Sequence, residues 1–190
     1  MNWKKEIKNF GLVIGIFALL YFTGWITPLM GGIQSLVLST GLLKPNVVLE
    51  NKEDRAFDYT GDFLDENGEL VALESFKGKT LFINLWATWC PPCRAEMPHI
   101  SDLYKKVQDE KTIEFLMIAL DNDFNKSIKY VAEKGFSFSV LHANKGLNRS
   151  LQSQSIPTTL VISPKGKVVF YQEGMSNFNT KEFTEFLLNL

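Results

Sequence analysis

A chain of 190 residues, 45% hydrophobic and 13% aromatic, has room for one ordinary domain plus something extra. A net charge of −1 leaves no basic footprint, which excludes a nucleic-acid partner, and 15 phenylalanines suit a packed core rather than a disordered chain. No internal repeat or low-complexity segment is present.

The first predicted element is a membrane anchor. No charged residue occurs from residue 9 to residue 43, while Lys4, Lys5 and Lys8 precede the run. Residues 10–30 (FGLVIGIFALLYFTGWITPLM) have the length that a helix needs to cross a hydrocarbon layer of about 30 Å. Tyr21 and Trp25 lie toward its far end, where amphipathic rings favour the interface. The lysines predict residues 1–9 on the cytoplasmic side and everything after the span outside, giving a single-pass protein of the cell (inner) membrane with the lipid bilayer as a partner. A cleavable signal peptide is the rival, but its apolar region usually runs about 7–15 residues to an A-x-A-like site, and none follows here. A lipid-modified terminus would need a nearby cysteine, which the sequence lacks. Residues 31–43 (GGIQSLVLSTGLL) stay apolar and could extend the helix, lie in the interface or re-enter it. With the polar residues 44–56 they form a juxtamembrane segment and linker, 31–56, leading into a domain over 57–190.

Within that domain, residues 57–64 and 69–73 read as strands around Asp65-Glu66-Asn67-Gly68, a hairpin signal. Residues 76–79 form a second turn. Residues 80–86 (TLFINLW) are a short, almost wholly apolar run of the kind buried on both faces of a sheet. Pro92 can open the next helix, because the first turn has no N–H bond to lose, and Pro98 predicts a kink in it before Gln108. Residues 113–120 are another central strand, residues 124–134 a helix closed by Gly135, Val140 and Leu141 part of a short strand, and residues 147–152 a weak helix. Residues 158–162 and 167–172 are strands joined by the turn Ser163-Pro164-Lys165-Gly166, and a last helix spans 180–188 with Asn179 or Thr180 as its cap. Strand and helix alternate, then a hairpin and helix follow: an α/β sandwich around a mixed sheet with an N-terminal hairpin.

The two cysteines are Cys90 and Cys93, in Trp-Cys-Pro-Pro-Cys directly after the buried strand. A C-x-x-C pair at a helix start closes a small ring on oxidation, and the helix dipole stabilises the leading thiolate. Cys90 would attack a substrate disulfide and Cys93 would resolve the mixed disulfide. Two alternatives stay open. A structural bridge across so short a loop would remove little chain entropy, and a zinc site would have only His99 and His142 to complete four ligands. Pro91 and Pro92 bring no N–H groups. A donor missing at Pro91 would keep the Cys90 pKa from falling far and favour a reductant. Asp121-Asn122-Asp123 resembles a fragment of a cation loop but lacks the remainder, and reads as a solvated loop after a strand. Arg94 reads as a solvated helix residue and Trp86 as core.

LFINLWATWCPPCRAEMP and the later SIPTTLVISPKGKVV resemble the TlpA/ResA-like branch of the thioredoxin superfamily over residues 57–190. The resemblance implies a thioredoxin-like fold and an extracytoplasmic, membrane-tethered thiol–disulfide oxidoreductase without a bound cofactor. Pro157 matches the family's cis-proline beside the cysteines, with Ile156 lining the substrate groove. Trp89, Pro91, Pro92 and Thr158 complete the expected substrate surface. Glu96, three residues after Cys93 and so on its helix face, matches an acidic residue that handles protons. Its rival reading is a first-turn glutamate placed by the dipole. Asn84 stands where many thioredoxins carry a buried aspartate, which shifts any acid–base work to Glu96.

The resemblance implies a reductant of specific exported protein disulfides, for example in cytochrome c maturation, recharged by a membrane thiol-transfer donor of the DsbD/CcdA kind. A disulfide oxidase or isomerase is the alternative, and a thiol-based metal carrier a further one. Copper carriers on this fold usually place three residues between their cysteines, and thiol peroxidases carry a small polar motif before theirs.

Overall fold

The computed structural model describes residues 3–23, 37–38, 43–45, 55–143 and 145–190. A first helix, α1 (Trp3–Phe22), starts ahead of the expected residue 10, and its apolar side chains Phe10, Leu12, Ile14, Ile16, Leu19 and Phe22 are exposed. Among the described residues no helix is long and apolar enough to cross a membrane, and residues 24–30 of the expected span lie outside them.

The domain is built on seven strands: β1 (Asp62–Leu64), β2 (Leu70–Ala72), β3 (Thr80–Trp86), β4 (Ile113–Ala119), β5 (Val140–His142), β6 (Thr158–Ile162) and β7 (Val168–Glu173). They form one mixed sheet in the order β2-β1-β5-β4-β3-β6-β7. β3, β4 and β5 run parallel, and the remaining pairings are antiparallel. Three helices follow: α2 (Pro91–Val107), α3 (Phe124–Lys134) and α4 (Lys181–Leu188).

The alternation of side chains along β3 divides the interior in two. Phe82 and Trp86 join the core under the helices, with Met97, Ile100 and Leu103 of α2, Val131 of α3 and Phe183 of α4. Leu81, Ile83 and Leu85 face the opposite core, which no described α-helix enters. There Phe57, Phe63, Leu73 and Leu151 close the sheet instead. Every residue of β3 is buried, as its unbroken apolar run demands. Much of the phenylalanine content gathers in one place: Phe82 stacks on Phe115 at 4.6 Å and meets Phe178 edge-on at 5.5 Å.

The hairpin is shorter than residues 57–64 suggested. Asp58 folds back so that its Oδ1 accepts the Thr60 N–H (2.9 Å), and Gly61 takes φ +114°, so the chain cannot remain a strand there. Residues before it pair elsewhere, with Phe57 N–H donating to the Gly166 carbonyl at 2.8 Å. At the tip, Asp65 Oδ1 accepts the N–H groups of Asn67 and Glu69, and Gly68 supplies the positive φ of +79°. The expected helix at 147–152 is only a 3-10 turn, Arg149–Leu151, because Asn148 caps it by accepting the Leu151 N–H (3.1 Å) and the chain extends at Gln152. α3 ends as read, with Gly135 left-handed at φ +66°. Thr180, not Asn179, caps α4 by accepting the Phe183 N–H at 3.1 Å.

Candidate active site

β3 delivers the chain to the start of α2, and Cys90 stands at the junction as the N-cap of that helix. Pro91 and Pro92 occupy its first two positions, where a missing N–H costs nothing. Cys90 and Cys93 are joined in a disulfide, with Cα atoms 5.3 Å apart. Cys93 N–H points at Cys90 Sγ across 3.3 Å, the contact an N-cap acceptor receives from the third helical residue. On reduction this amide and the helix dipole stabilise negative charge on Cys90. Cys93 is fully buried, whereas Cys90 is 4% exposed, so the pair has an outer and an inner sulfur. A zinc site built on them finds no support in the arrangement: among the described residues no three His, Cys, Asp or Glu side chains come together as ligands.

The loop before β6 faces the disulfide. The Ile156–Pro157 peptide bond is cis, and the Ile156 carbonyl oxygen lies 3.7 Å from Cys90 Sγ. Ile156 is half-buried and Pro157 buried. Thr158 is fully buried and its hydroxyl donates to the Ser155 carbonyl at 2.6 Å, so its side chain shapes this loop rather than reaching outward. Trp89 is the opposite case: 63% exposed, it offers a large apolar face next to an almost closed sulfur. Pro91 and Pro92 are half-buried beside it. Trp86, by contrast, is fully buried and tilts against Tyr130 at 5.9 Å.

Behind the cysteines lies Glu96, with no exposed surface. Its Oε1 accepts the Asn84 Nδ2–H at 2.8 Å, and its Oε2 accepts the Ser176 N–H at 3.2 Å. Burial pushes its carboxyl up to about 8, against the opposing pull of those two donors. A carboxyl on a solvated first turn would be free to ionise, so Glu96 is not a dipole ornament. It is a buried acid whose affinity for a proton falls near neutral pH, the range in which one group can both give and take a proton. Asn84 also donates to Thr159 Oγ1 at 2.9 Å, while its Oδ1 has no partner among the described residues. If Glu96 is neutral its O–H needs an acceptor, and a turn of the Asn84 amide presents one.

Three features escaped the sequence pattern. Ser176 reaches Glu96 from the loop after β7, and Gly174 N–H in the same loop donates to the Pro157 carbonyl at 2.8 Å. One short loop therefore touches both the cis-proline and the buried acid. Asp121, buried after β4, accepts Thr88 N–H (2.9 Å), Thr88 Oγ1–H (2.6 Å) and Ser127 Oγ–H (2.8 Å). It is an anchor for the turn that carries Trp89 and Cys90, not part of a cation loop, and Asp123 caps α3 through Asn125 N–H. Arg94 is more than a solvated residue, since its guanidinium lies 5.5 Å from the centre of the Tyr130 ring. Burial holds His142 on β5 below the usual imidazole range, opposed by Asp121, and does the same to His99 on α2, opposed by Asp102.

Comparison with known proteins bears on this geometry. Residues 53–171 match the AhpC/TSA family. The thiol-disulfide oxidoreductase ResA of Halalkalibacterium halodurans is 32% identical over 126 residues, 65% of this chain and 70% of that protein. ResA of Bacillus subtilis is 30% identical over 133 residues, 70% of this chain and 66% of its own length. Among solved structures, a thiol:disulfide interchange protein of the thioredoxin family from Chlorobium tepidum superposes with a TM-score of 0.60 at 26% identity, covering 70% of this chain and 97% of that one.

Proposed function

Since the chain belongs to the AhpC/TSA family of thioredoxin-like proteins and resembles its ResA members, we propose that this thiol–disulfide oxidoreductase works as a reductant of specific exported protein disulfides. The observation that carries the reading is the arrangement of an outer sulfur, an inner sulfur and a buried acid at three-residue intervals over the first two turns of α2.

In the forward direction the Cys90 thiolate attacks a substrate disulfide, and one substrate sulfur leaves as a thiolate that takes up a proton. Cys93 then gives its proton to the ionised fraction of Glu96 and attacks Cys90 Sγ, which releases the second substrate thiol. The substrate gains two electrons and the enzyme is left with the Cys90–Cys93 disulfide. Reversal by an electron donor needs Glu96 as an acid, returning its proton to the departing Cys93 sulfur. A group that titrates near 8 serves both directions.

Trp89, Ile156 and Pro157 supply the surface on which the substrate peptide lies, with Pro91 and Pro92 at its edge. The exposed apolar face of α1 and the uncharged run after it support a membrane anchor with the domain outside the cytoplasm, in a compartment where disulfides persist. A reduced pair there requires a membrane thiol-transfer donor of the DsbD/CcdA kind. An apocytochrome c disulfide awaiting haem is the substrate type this reading favours.

The test is a Cys93→Ser variant of the full chain in its native membrane. Cys90 is then stalled in a mixed disulfide whose partner is read by mass spectrometry. Partners carrying C-x-x-C-H sites would support the proposal. A set of partners with no preference, together with a reduction potential near about −120 mV, would instead identify an oxidase.

A further inference from the structure

The loop between β7 and α4 is held from both ends. Gly174 N–H is tied to the Pro157 carbonyl at 2.8 Å, and Phe178, fully buried, locks into the aromatic cluster against Phe82 and Phe183. Between these points sit Ser176, whose amide donates to Glu96, and Asn177. The middle of the loop is held by residues that precede the domain. The Leu43 carbonyl accepts Asn177 N–H at 2.9 Å and the Ser176 hydroxyl at 3.3 Å. The Leu38 carbonyl accepts Asn177 Nδ2–H at 3.2 Å. The Leu38 side chain is fully buried and Pro45 is buried, so this is a packed contact as well as a set of hydrogen bonds.

We propose that Asn177 and the carbonyl groups of Leu38 and Leu43 are positioning groups for Glu96, forming a strap through which the chain ahead of the domain sets the Ser176–Glu96 hydrogen bond. This rests on the reading of Glu96 as the proton-handling group. The physical chain is short. The Ser176 amide stabilises the carboxylate form, and its direction depends on the two peptide units on either side of it. The unit that follows it is fixed by the Leu43 carbonyl through the Asn177 N–H, and the buried Phe178 anchors the loop just beyond. Releasing the Leu43 side lets the amide turn away, and the acid then holds its proton more tightly.

Among the described residues, burial acts most on Glu96, opposed by the Asn84 amide from β3 and the Ser176 amide from the strap loop, and Cys93 precedes it by one turn of α2. In the disulfide form Cys93 does not titrate, so the oxidised protein isolates the acid.

The experiment is infrared titration of the oxidised full chain in detergent, following the protonated carboxyl stretch between pH 6 and 9.5 and assigning it with Glu96→Gln. Asn177→Ala removes the side-chain bond to Leu38 together with the Oδ1 acceptor of the Asn179 N–H at 3.0 Å, and Leu38→Asp undocks the strap while leaving the loop's own residues unchanged. The proposal expects the inflection to rise in both, by about one pH unit if the amide bond is lost outright. A rise in Asn177→Ala alone would place the effect in the loop and overturn the strap, and an unchanged inflection in both would overturn it as well. The readout needs no turnover: a protein that failed to exchange disulfides would end the functional reading while leaving this titration to be judged.

Discussion

Asn84 on β3 and Glu96 on α2 meet across 2.8 Å, the amide donating to a carboxyl that has no exposed surface. That bond favours the ionised acid, burial opposes it, and burial wins, since the carboxyl lies near 8 rather than at its ordinary 4.5. The same competition links catalysis to stability. Below pH 4.5 both folded and unfolded chains hold the proton. Between about 4.5 and 8 the unfolded chain gives it up while the native one keeps it, so native stability falls as pH rises. Above 8 both are ionised and the loss is complete.

Glu96→Gln removes this dependence. The parent should lose on the order of a few kcal/mol through this window, in proportion to the shift, and the variant should show a flatter profile whatever its absolute stability. Urea unfolding of the oxidised protein at intervals from pH 4 to 9 measures the difference. Equal slopes in parent and variant would mean that Glu96 is not the buried acid.

The Asp121 anchor predicts a different signature. Asp121→Ala strands three donors: the Thr88 N–H, the Thr88 hydroxyl and the Ser127 hydroxyl. Leaving buried donors unpaired costs about 1–3 kcal/mol each in the worst case, so a total loss of about 2–4 kcal/mol is expected after local relaxation. Amide exchange should accelerate first at Thr88 and Trp89, the residues that present Cys90. A uniform destabilisation with no local excess at this turn would show that Asp121 serves the fold and not the site.

How much of this was legible in the sequence depended on whether the signal was local. β3, α3 and β6 were readable at their observed limits, because an apolar run lies within the strand it defines and a terminating glycine directly follows its helix. Glu96 was legible through its three-residue offset from Cys93, and Pro157 through the Ile-Pro-Thr resemblance. Ser176 was not, since it acts on a residue 80 positions earlier through its backbone, which any side chain would supply. Asp121 was misread for a related reason: its partner Thr88 lies 33 positions away, brought near only by the parallel pairing of β3 and β4. The hairpin was overextended because Gly61 and the Asp58 turn end the pattern that the flanking apolar residues suggest. Residues 31–36 and 39–42 lie outside the described residues; Leu38 is buried, and both Leu38 and the exposed Leu43 are tied to the domain through their carbonyl groups.

The proline pair yields the last prediction, with its weight moved from Pro91 to Pro92. An N-cap acceptor receives hydrogen bonds from the second and third helical residues. With Cys90 as the cap, those positions are Pro92 and Cys93, and only Cys93 has an N–H to give. Pro91, at the first position, withholds a group that would not have pointed at the sulfur. Pro92→Ala therefore adds one donor to the Cys90 thiolate. A hydrogen bond to a charged group contributes about 1.5–3 kcal/mol, which lowers the Cys90 pKa by about one to two units. Stabilising the reduced form makes the pair more oxidising, by less than the full pKa change because only part of the thiol is ionised near pH 7. Pro91→Ala should change both quantities much less. Iodoacetamide alkylation against pH gives the pKa, and equilibration with glutathione gives the potential. If Pro91→Ala produced the larger change, the acceptor geometry at Cys90 would have to differ from that of an N-cap.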